Sequence, residues 1–417
     1  MFTIILSIMI DVFGYSMVMP LLPAIATTLG ATPIIYGSII ASNAVMLLIF
    51  GPIWGKLSDK YGRKSVLMIS QAGTGAAFLL LAFSNSLYVI LAGRILDGIF
   101  SGQFPIVRAY ISDVTTPQTR ASHMSKMMVG YTSGMIIGPL LGGILGSFGW
   151  GVPMIFASLL CVFSIVLTYR VIVESMPKER IADLKAKRDL LKDSSDEKNS
   201  IWTKEVGIRF SQLLLHSFIA MIFQTGLSFT LYRRYNANYV IIGSIMSITG
   251  IVLLVYGLFL IKRVIQKIGE KRIFFLCLCG YIIIFLIYPY LGDFWMMYPF
   301  MAVYALCMSS IYPLISTNIT KAVGPAKQGE LSGWSTNLRS IAQIASPFVS
   351  MGFLELSGLT IGLIFFDSYQ LIGFTIAILS IILIIVAIID VKMHPRLYSY
   401  EKALRKRKKE SKKATKT

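Results

Sequence analysis

Apolar runs of about 20 residues, the length a helix needs to cross a ~30 Å hydrocarbon core, follow one another along almost the whole chain, separated by short polar stretches. They fall at roughly 2-24, 34-54, 65-84, 88-111, 124-147, 152-173, 207-231, 239-261, 273-291, 295-318, 332-355 and 369-389, which predicts twelve transmembrane helices. The longest polar interruption, "ERIADLKAKRDLLKDSSDEKNS", divides the runs into two sets of six. The expected plan is a first six-helix bundle over 1-173, a cytoplasmic linker over 174-206, a second bundle over 207-390 and a basic tail over 391-417. Short alternation of acids and bases in the linker predicts an amphipathic or surface helix under the membrane. The first run starts at Phe2 without a basic segment before it and carries Asp11, Pro20 and Pro23, so it reads as a retained span and not as a cleaved signal.

The two sets of six are related. Residues 104-147 laid over 312-355 bring Pro105 onto Pro313, Pro117 onto Pro325 and Pro139 onto Pro347 without a gap, and one residue out of that register Gly62 meets Gly269. Each proline marks a specific backbone event, so three at one offset indicate duplication. Parallel repeats meeting at a midplane cavity are an architecture of alternating-access transporters.

Composition sharpens the picture. The chain is 55% hydrophobic and 14% charged with a mean hydropathy of +0.71, which makes a bilayer its natural solvent. Cys161, Cys277, Cys279 and Cys307 all lie within spans and suggest neither a disulfide framework nor a metal site. A net charge of +19 would point to nucleic acid in a soluble protein. Here the basic residues outside the spans gather on one side, with only Arg233 and Arg234 on the other, so the positive-inside rule predicts cytoplasmic termini in a multi-pass plasma-membrane protein. The tail with "ALRKRKKESKK" then reads as a solvated segment touching anionic lipid. There is no nucleotide loop, metal-ligand cluster or nucleophile beside a base, so neither an enzyme nor a cofactor is expected, and the chain is expected to be a monomer handling a small molecule and protons.

Four segments carry candidate chemistry. "GPIWGKLSDKYGRKS" joins the second and third runs: its glycines permit a tight turn, and Asp59 offers a carboxylate that can cap a helix or bind a guanidinium. "LAGRILDGIFSG" places Arg94 and Asp97 on one helix face at i, i+3. Asp97 either neutralises Arg94 structurally, or takes up and releases a proton according to its contact with Arg94. "DVFGYSMVMPLLP" puts Asp11 about 14 Å along its helix from Phe2, at mid-membrane, as Asp97 is from Tyr88 on an antiparallel helix. Asp11 serves transport chemistry or a structural hydrogen bond; an intramembrane acid favours the former. "GYTSGMIIGPLLGGILG" spaces Gly134, Gly138 and Gly142 by four, a stripe for close backbone approach, and Pro139 bends the helix. The matching "QIASPFVSMGF" of the second half keeps only the proline. Arg108 snorkels to the surface, pairs with Asp113, or faces a cavity and attracts anionic groups. Arg339, at the position matching Tyr131, offers a second basic group, and Tyr131, Gln224 and Asn337 complete a candidate substrate-cavity set, with His216 and Asn318 as further polar contacts.

These segments together resemble the signatures of the major facilitator superfamily, and in particular its twelve-helix drug:proton antiporters, the tetracycline and multidrug exporters. Gly55, Asp59, Gly62, Arg63 and Lys64 occupy the loop signature, Arg94, Gly98 and Gly102 the fourth-helix one, and Asp11, Gly14, Pro20 and Pro23 the first-helix one. Gly134, Gly138, Pro139, Gly142 and Gly143 match the fifth-helix signature, which resembles proton-linked exporters specifically. The resemblance implies a fold of two pseudo-symmetric six-helix bundles and a conformational latch between halves at the loop signature. It also implies first and fourth helices lining one cavity, with Asp11, Arg94 and Asp97 in the proton-coupling cluster, and export of small amphiphilic or drug-like molecules by alternating access. The chain departs from the tetracycline exporters at Ala77, where they carry an acid, and lacks the histidine of their eighth span, so the resemblance does not extend to tetracycline itself; Gln266 replaces the acid of the loop in the second half. Arg108 and Arg339 keep open a proton symporter or facilitator for an organic anion or lipid precursor, and the basic tail a non-transporting membrane sensor.

Overall fold

The computed structural model describes residues 2–176, 202–323, 327–356, 358–361 and 364–394. The first half runs through α1 (Phe2–Val18), α2 (Leu22–Thr28), α3 (Pro33–Tyr61), α4 (Arg63–Ala82), α5 (Leu87–Phe100), α6 (Gln103–Val114), α7 (Pro117–Gly146) and α8 (Gly151–Val171). The second half comprises α9 (Lys204–Tyr235), α10 (Tyr239–Val255), a π turn (Tyr256–Leu260), α11 (Ile261–Ile268), α12 (Glu270–Ile287), α13 (Met297–Lys321), α14 (Gln328–Glu355) and α15 (Ser368–Met393). Starts are fixed by side chains that accept from freed backbone N–H groups, among them Thr32, Ser86, Thr203, Asn238 and Asp367.

Nine spans among the described residues are long and apolar enough to cross a membrane, α5 and α6 counting together as one of them, and the pair α1–α2, bent by 40°, makes a tenth. The two other expected runs are α10 continued through the π turn into α11, and the 28-residue α14, whose polar residues lower its apolarity. Several boundaries differ from the expected ones. α9 begins at Lys204, inside the expected linker. The fourth run is broken at Ser101 and Gly102 into α5 and α6, because Pro105 has no N–H to continue the ladder. The carbonyls exposed there are taken by neighbours: Trp54 Nε1 donates to Ile99 O and the Ser70 hydroxyl to Phe100 O. An all-helical chain was expected, yet Gly358–Ile361 and Ile364–Asp367 form a small antiparallel hairpin of β1 and β2 before α15. The surface helix of the linker, Pro325 and the basic tail beyond His394 lie outside the described residues.

The duplication holds in three dimensions. Gly62 and Gly269 share one conformation, φ +95° with ψ 147° and 145°, at the turns into α4 and α12. Beside each turn sits one ion pair with its charges exchanged. Arg63 at the start of α4 binds Asp113 at the end of α6 (3.0 Å), and Glu270 at the start of α12 binds Lys321 at the end of α13 (3.4 Å). The halves meet along two pseudo-equivalent crossings, α7 with α10 and α3 with α14. At the first, a Cβ on Gly243 of α10 would strike the Pro139 carbonyl; at the second, one on Gly37 of α3 would lie 3.1 Å from the Pro347 carbonyl. The repeated prolines are thus the seam itself.

Both crossings tighten away from the face where α1 begins and α15 ends, here the terminal face. Ser247 Oγ donates to Ile136 O (2.7 Å), and Ile34 N to Glu355 Oε2 (3.3 Å). Toward the terminal face, α3 loses this partner: Gly51 and Gly55 have open space around them, and Ile49 and Ile53 are exposed. The only hydrogen bond between the halves on that side is Arg108 Nη2 to Ser332 Oγ (3.0 Å), among the described residues. The cleft is closed at the far face and open at the terminal face.

Candidate functional site

Gly98 is the point from which the buried charge cluster is built. A Cβ there would meet the Asn43 carbonyl and Met46 of α3, so its absence lets α3 and α5 approach closely enough for side chains to meet. Asn43 Nδ2 then donates both to Asp97 Oδ2 (2.9 Å) and to the Arg94 carbonyl (3.2 Å). Arg94 Nη1 reaches the same Asp97 oxygen at 2.9 Å, and its guanidinium lies 5.3 Å from the Tyr15 ring of α1. Arg94 and Asp97 are 0% and 1% exposed, and Nε and Nη2 of Arg94 have no hydrogen-bond partner. A buried charge is tolerable only when paired.

Asp11 is different. One turn before Tyr15 on α1, it interacts electrostatically with Asp97. It forms no hydrogen bond or ion pair with any described residue, and its surface is not fully covered. The three proton-coupling candidates therefore occupy one region in two states of satisfaction: Asp97 is dry and paired, Asp11 open and free.

Facing this wall from the second half is Arg339 of α14, exposed in the cleft. Its guanidinium lies 5.0 Å from the centroid of the Tyr312 ring, and Nη1 donates to the Tyr312 hydroxyl at 3.1 Å. Tyr312 stacks on His216 (centroids 6.3 Å, 27°), which stacks on Tyr281 (6.0 Å, 11°). Tyr131 of α7 packs edge-on against Phe104 of α6 (centroids 6.0 Å) and is within electrostatic reach of Arg339 and Tyr312 of the second half and of Tyr15 and Asp11 of the first. Of the remaining cavity candidates, Gln224 is half-buried and Asn337 exposed, and neither makes a side-chain hydrogen bond with a described residue. Arg108 does not pair with Asp113, because Arg63 already holds that carboxylate.

The loop signature forms a compact knot. Arg63 binds Asp59, Asp113 and Ser58 at once, and Gly62 turns the chain through its positive φ. The carboxylate that caps α4 is not Asp59 but Glu174 beyond α8, which accepts from Arg63 N (2.8 Å) and Lys64 N (3.0 Å). Lys64 Nζ donates to the Tyr169 carbonyl at 2.7 Å. All of these bonds stay within the first half, and a Cβ on Gly55 would meet nothing within 4 Å. With the terminal face open, the residues expected to form a latch make no hydrogen bond or ion pair with the described residues of the second half. The knot is nevertheless tighter than its charge-exchanged counterpart. Arg63→Ala, which strands the mostly buried Asp113, is expected to cost about 3 kcal/mol. Lys321→Ala, at a pair 25% and 19% exposed, should cost under about 1 kcal/mol, and thermal unfolding in detergent measures both.

The glycines of α7 contact α1. Cβ atoms at Gly130, Gly134, Gly138 and Gly142 would meet the carbonyls of Ile5, Met9, Phe13 and Met17 in turn, one parallel register maintained every four residues. Ser16 Oγ of α1 adds a bond to the Gly134 carbonyl (3.0 Å). Gly143 alone turns to the seam, against Tyr239 and Val240. Of that pattern the second half keeps the proline alone, but Ala342, Ser346 and Ser350 of α14, at the positions matching Gly134, Gly138 and Gly142, are small and buried, and the Ser350 Cβ lies 3.5 Å from a Cβ built on Gly226 of α9.

Sequence reasoning missed Asn43, a lone amide in the apolar run "IIASNAVMLLIF", and Tyr15, one turn from Asp11. It also missed a second buried cluster near the terminal face. Arg209 of α9, 0% exposed, lies 3.6 Å from Asp390 of α15, which also accepts from Gln212 (3.3 Å) and contacts His394 (3.1 Å). Arg209 and Asp390 stand near run ends, where they look like ordinary flanking charges.

Comparison with known proteins gives a consistent result. The family model described as Major Facilitator Superfamily matches residues 4–347. The chain is 28% identical over 351 residues to the class H tetracycline resistance protein of Pasteurella multocida, covering 83% of this chain and 86% of that one. It is 25% identical over 356 residues to multidrug resistance protein 2 of Bacillus subtilis (strain 168), covering 83% and 86%. Among solved structures, the human organic anion transporter MFSD10 (TETRAN) aligns with a TM-score of 0.65 at 19% identity over 92% of this chain and 97% of that one. The peptide transporter POT in complex with sulfate aligns at 0.71 and 15% identity, covering 95% and 94%. At these identities the structural matches speak for the fold.

Proposed function

Because the chain belongs to the Major Facilitator Superfamily, a family of multi-pass membrane transporters and not of enzymes, we propose that it is a proton-coupled exporter of small amphiphilic or drug-like molecules, in the plasma membrane with both termini cytoplasmic. The observation that carries the reading is the contrast between the two acids of one cavity wall. Asp97 is committed to Arg94 and Asn43, while Asp11 stands free in a cleft open at the terminal face. A carboxylate that must load and unload a proton needs an uncovered edge and no permanent partner; Asp11 is partly exposed and makes no hydrogen bond or ion pair with any described residue. Asp97 and Arg94 then serve as a fixed charge pair in the same half as Asp11. Positive-inside charge supports a cytoplasmic open face, and in this reading the cleft as found is the loading state of an exporter. The similarity to tetracycline and multidrug resistance proteins supports export and a drug-like substrate. The Asp59–Arg63 loop is the latch in this reading, closing onto α14 only when the cytoplasmic side shuts.

The test is exchange in proteoliposomes. With the purified protein reconstituted around a pH-sensitive dye, addition of ethidium, norfloxacin or tetracycline is expected to move protons opposite to the one of these that is transported. Movement of a probe with no opposing proton flux overturns the reading.

A further inference from the structure

The turn from α11 into α12 repeats the turn into α4, but its cations are left unused. In the first half Arg63 is held by Asp59 and Asp113, Lys64 Nζ donates to the Tyr169 carbonyl, and the Glu174 carboxylate accepts from the Arg63 and Lys64 amides. A Cβ on Gly62 would strike that carboxylate, whereas one on Gly269 would meet nothing within 4 Å, and no described side chain caps α12. The acid of the second turn, Glu270, is committed to Lys321. Around it Lys262, Arg263, Lys267, Lys271 and Arg272 are exposed, and none forms an ion pair or side-chain hydrogen bond with a described residue. α11 sets Ile261, Val264, Ile265 and Ile268 on one face and its bases on the other, and protein buries none of them. Beside this cluster a groove of about 510 Å³ is lined by Lys271, Arg272, Phe275, Leu276 and Cys279. These residues follow one face of α12 at spacings of four, cationic at its first turn and apolar from there on.

We propose that this groove binds an anionic phospholipid, whose phosphate pairs with Lys271 and Arg272 and whose acyl chain lies along Phe275, Leu276 and Cys279. Charge and depth together select a lipid. The bases stand at the membrane end of α12, at headgroup level, and the apolar bed continues for about 12 Å along the helix from Lys271 to Cys279. A soluble phosphate or an acidic peptide would satisfy the cations and leave that bed uncovered. A zwitterionic phospholipid would cover the bed and bring its own cation against a cluster of five. An anionic phospholipid meets both demands with one molecule, and the first turn of a helix favours negative charge. The first half has no such need, because Glu174 already supplies the anion at the matching turn. The site depends neither on proton exchange nor on the direction of transport.

Two lipids with the same chains and different heads test it. Native mass spectrometry of the full chain in a neutral detergent, titrated with dioleoylphosphatidylglycerol or dioleoylphosphatidylcholine, is expected to show the first anionic lipid binding about tenfold more tightly than the zwitterionic one. Lys271→Gln with Arg272→Gln should reduce that preference to about threefold or less. Both side chains are exposed and unpaired, so the double variant keeps its melting temperature. Lys56→Gln with Lys60→Gln removes the same charge from the matching helix of the first half and should leave the preference intact. Cys279 is exposed in the groove itself. Its alkylation by N-ethylmaleimide, read by peptide mass mapping, should be slowed by phosphatidylglycerol and not by phosphatidylcholine or glycerol 3-phosphate at the same concentration. Equal binding of the two lipids overturns the inference, as does protection of Cys279 by glycerol 3-phosphate, which makes the ligand a soluble anion. A preference that survives Lys271→Gln with Arg272→Gln places the lipid elsewhere, on the basic tail for instance, and one lost equally in the first-half variant reflects net charge alone; either result also overturns it.

Discussion

Asp11→Asn leaves the protein folded and abolishes its response to a proton gradient, whereas Asp97→Asn damages the fold. The two substitutions are chemically identical and lie in one cluster, so the contrast isolates environment. At Asp11 no bond is lost, because none is made, and Asn fills the same volume without taking up a proton. The melting temperature in detergent should move little, and gradient-driven transport in vesicles should fall by about tenfold or more, as expected when an essential acid–base group is lost. At Asp97 the same change removes the counter-charge of a guanidinium that is 0% exposed, leaving a buried charge uncompensated at a cost of about 3 kcal/mol or more. Folded yield and melting temperature should both drop, and Asp97→Glu should recover part of each. Intact coupling in Asp11→Asn, or an unshifted melting temperature in Asp97→Asn, contradicts the assignment of roles.

The second large effect is expected on the glycine stripe. Gly142→Leu forces a side chain into the backbone of α1 at Met17, where a Cβ alone already collides with the Met17 carbonyl and Cα. Neither backbone can yield without parting α1 from α7 along the whole register, so the cost exceeds the ~1–3 kcal/mol of ordinary overpacking. Loss of monodisperse protein on size exclusion measures it. Gly51→Leu, at a helical glycine of α3 with nothing within 4 Å, is the matched control and should remain monodisperse.

The helical membrane fold and the repeat were legible in the sequence because apolar length and proline spacing are local properties that survive any packing, although only nine or ten of the twelve expected spans are long and apolar enough to cross a membrane among the described residues. The site was legible in its acids and not in its partners. Asp11, Arg94 and Asp97 announce themselves as charges in apolar runs, but which of the acids is satisfied depends on Asn43, delivered by another helix through the gap at Gly98. The latch shows the same limit. Its residues are contiguous and readable, yet the carboxylate that caps α4 arrives from Glu174, 110 and 111 residues away in sequence from the amides it binds. Glycine spacing foretold a close approach without naming its partner, and in the second half alanine and serine do the same work at Ala342, Ser346 and Ser350, where a search for glycine finds nothing.

The parallel register between α1 and α7 also bears on how the chain is made. α1 ends at Val18 and α7 begins at Pro117, so roughly a hundred residues must be synthesised before the groove that receives α1 exists. At about 5–20 residues per second, that is an interval of about 5–20 s. Throughout it, Asp11 has neither α7 beside it nor the opposing half in front of it, on a helix that pays a few kcal/mol to hold an acid at mid-membrane. α1 therefore completes its packing later than the order of the chain suggests, only once α7 has been made.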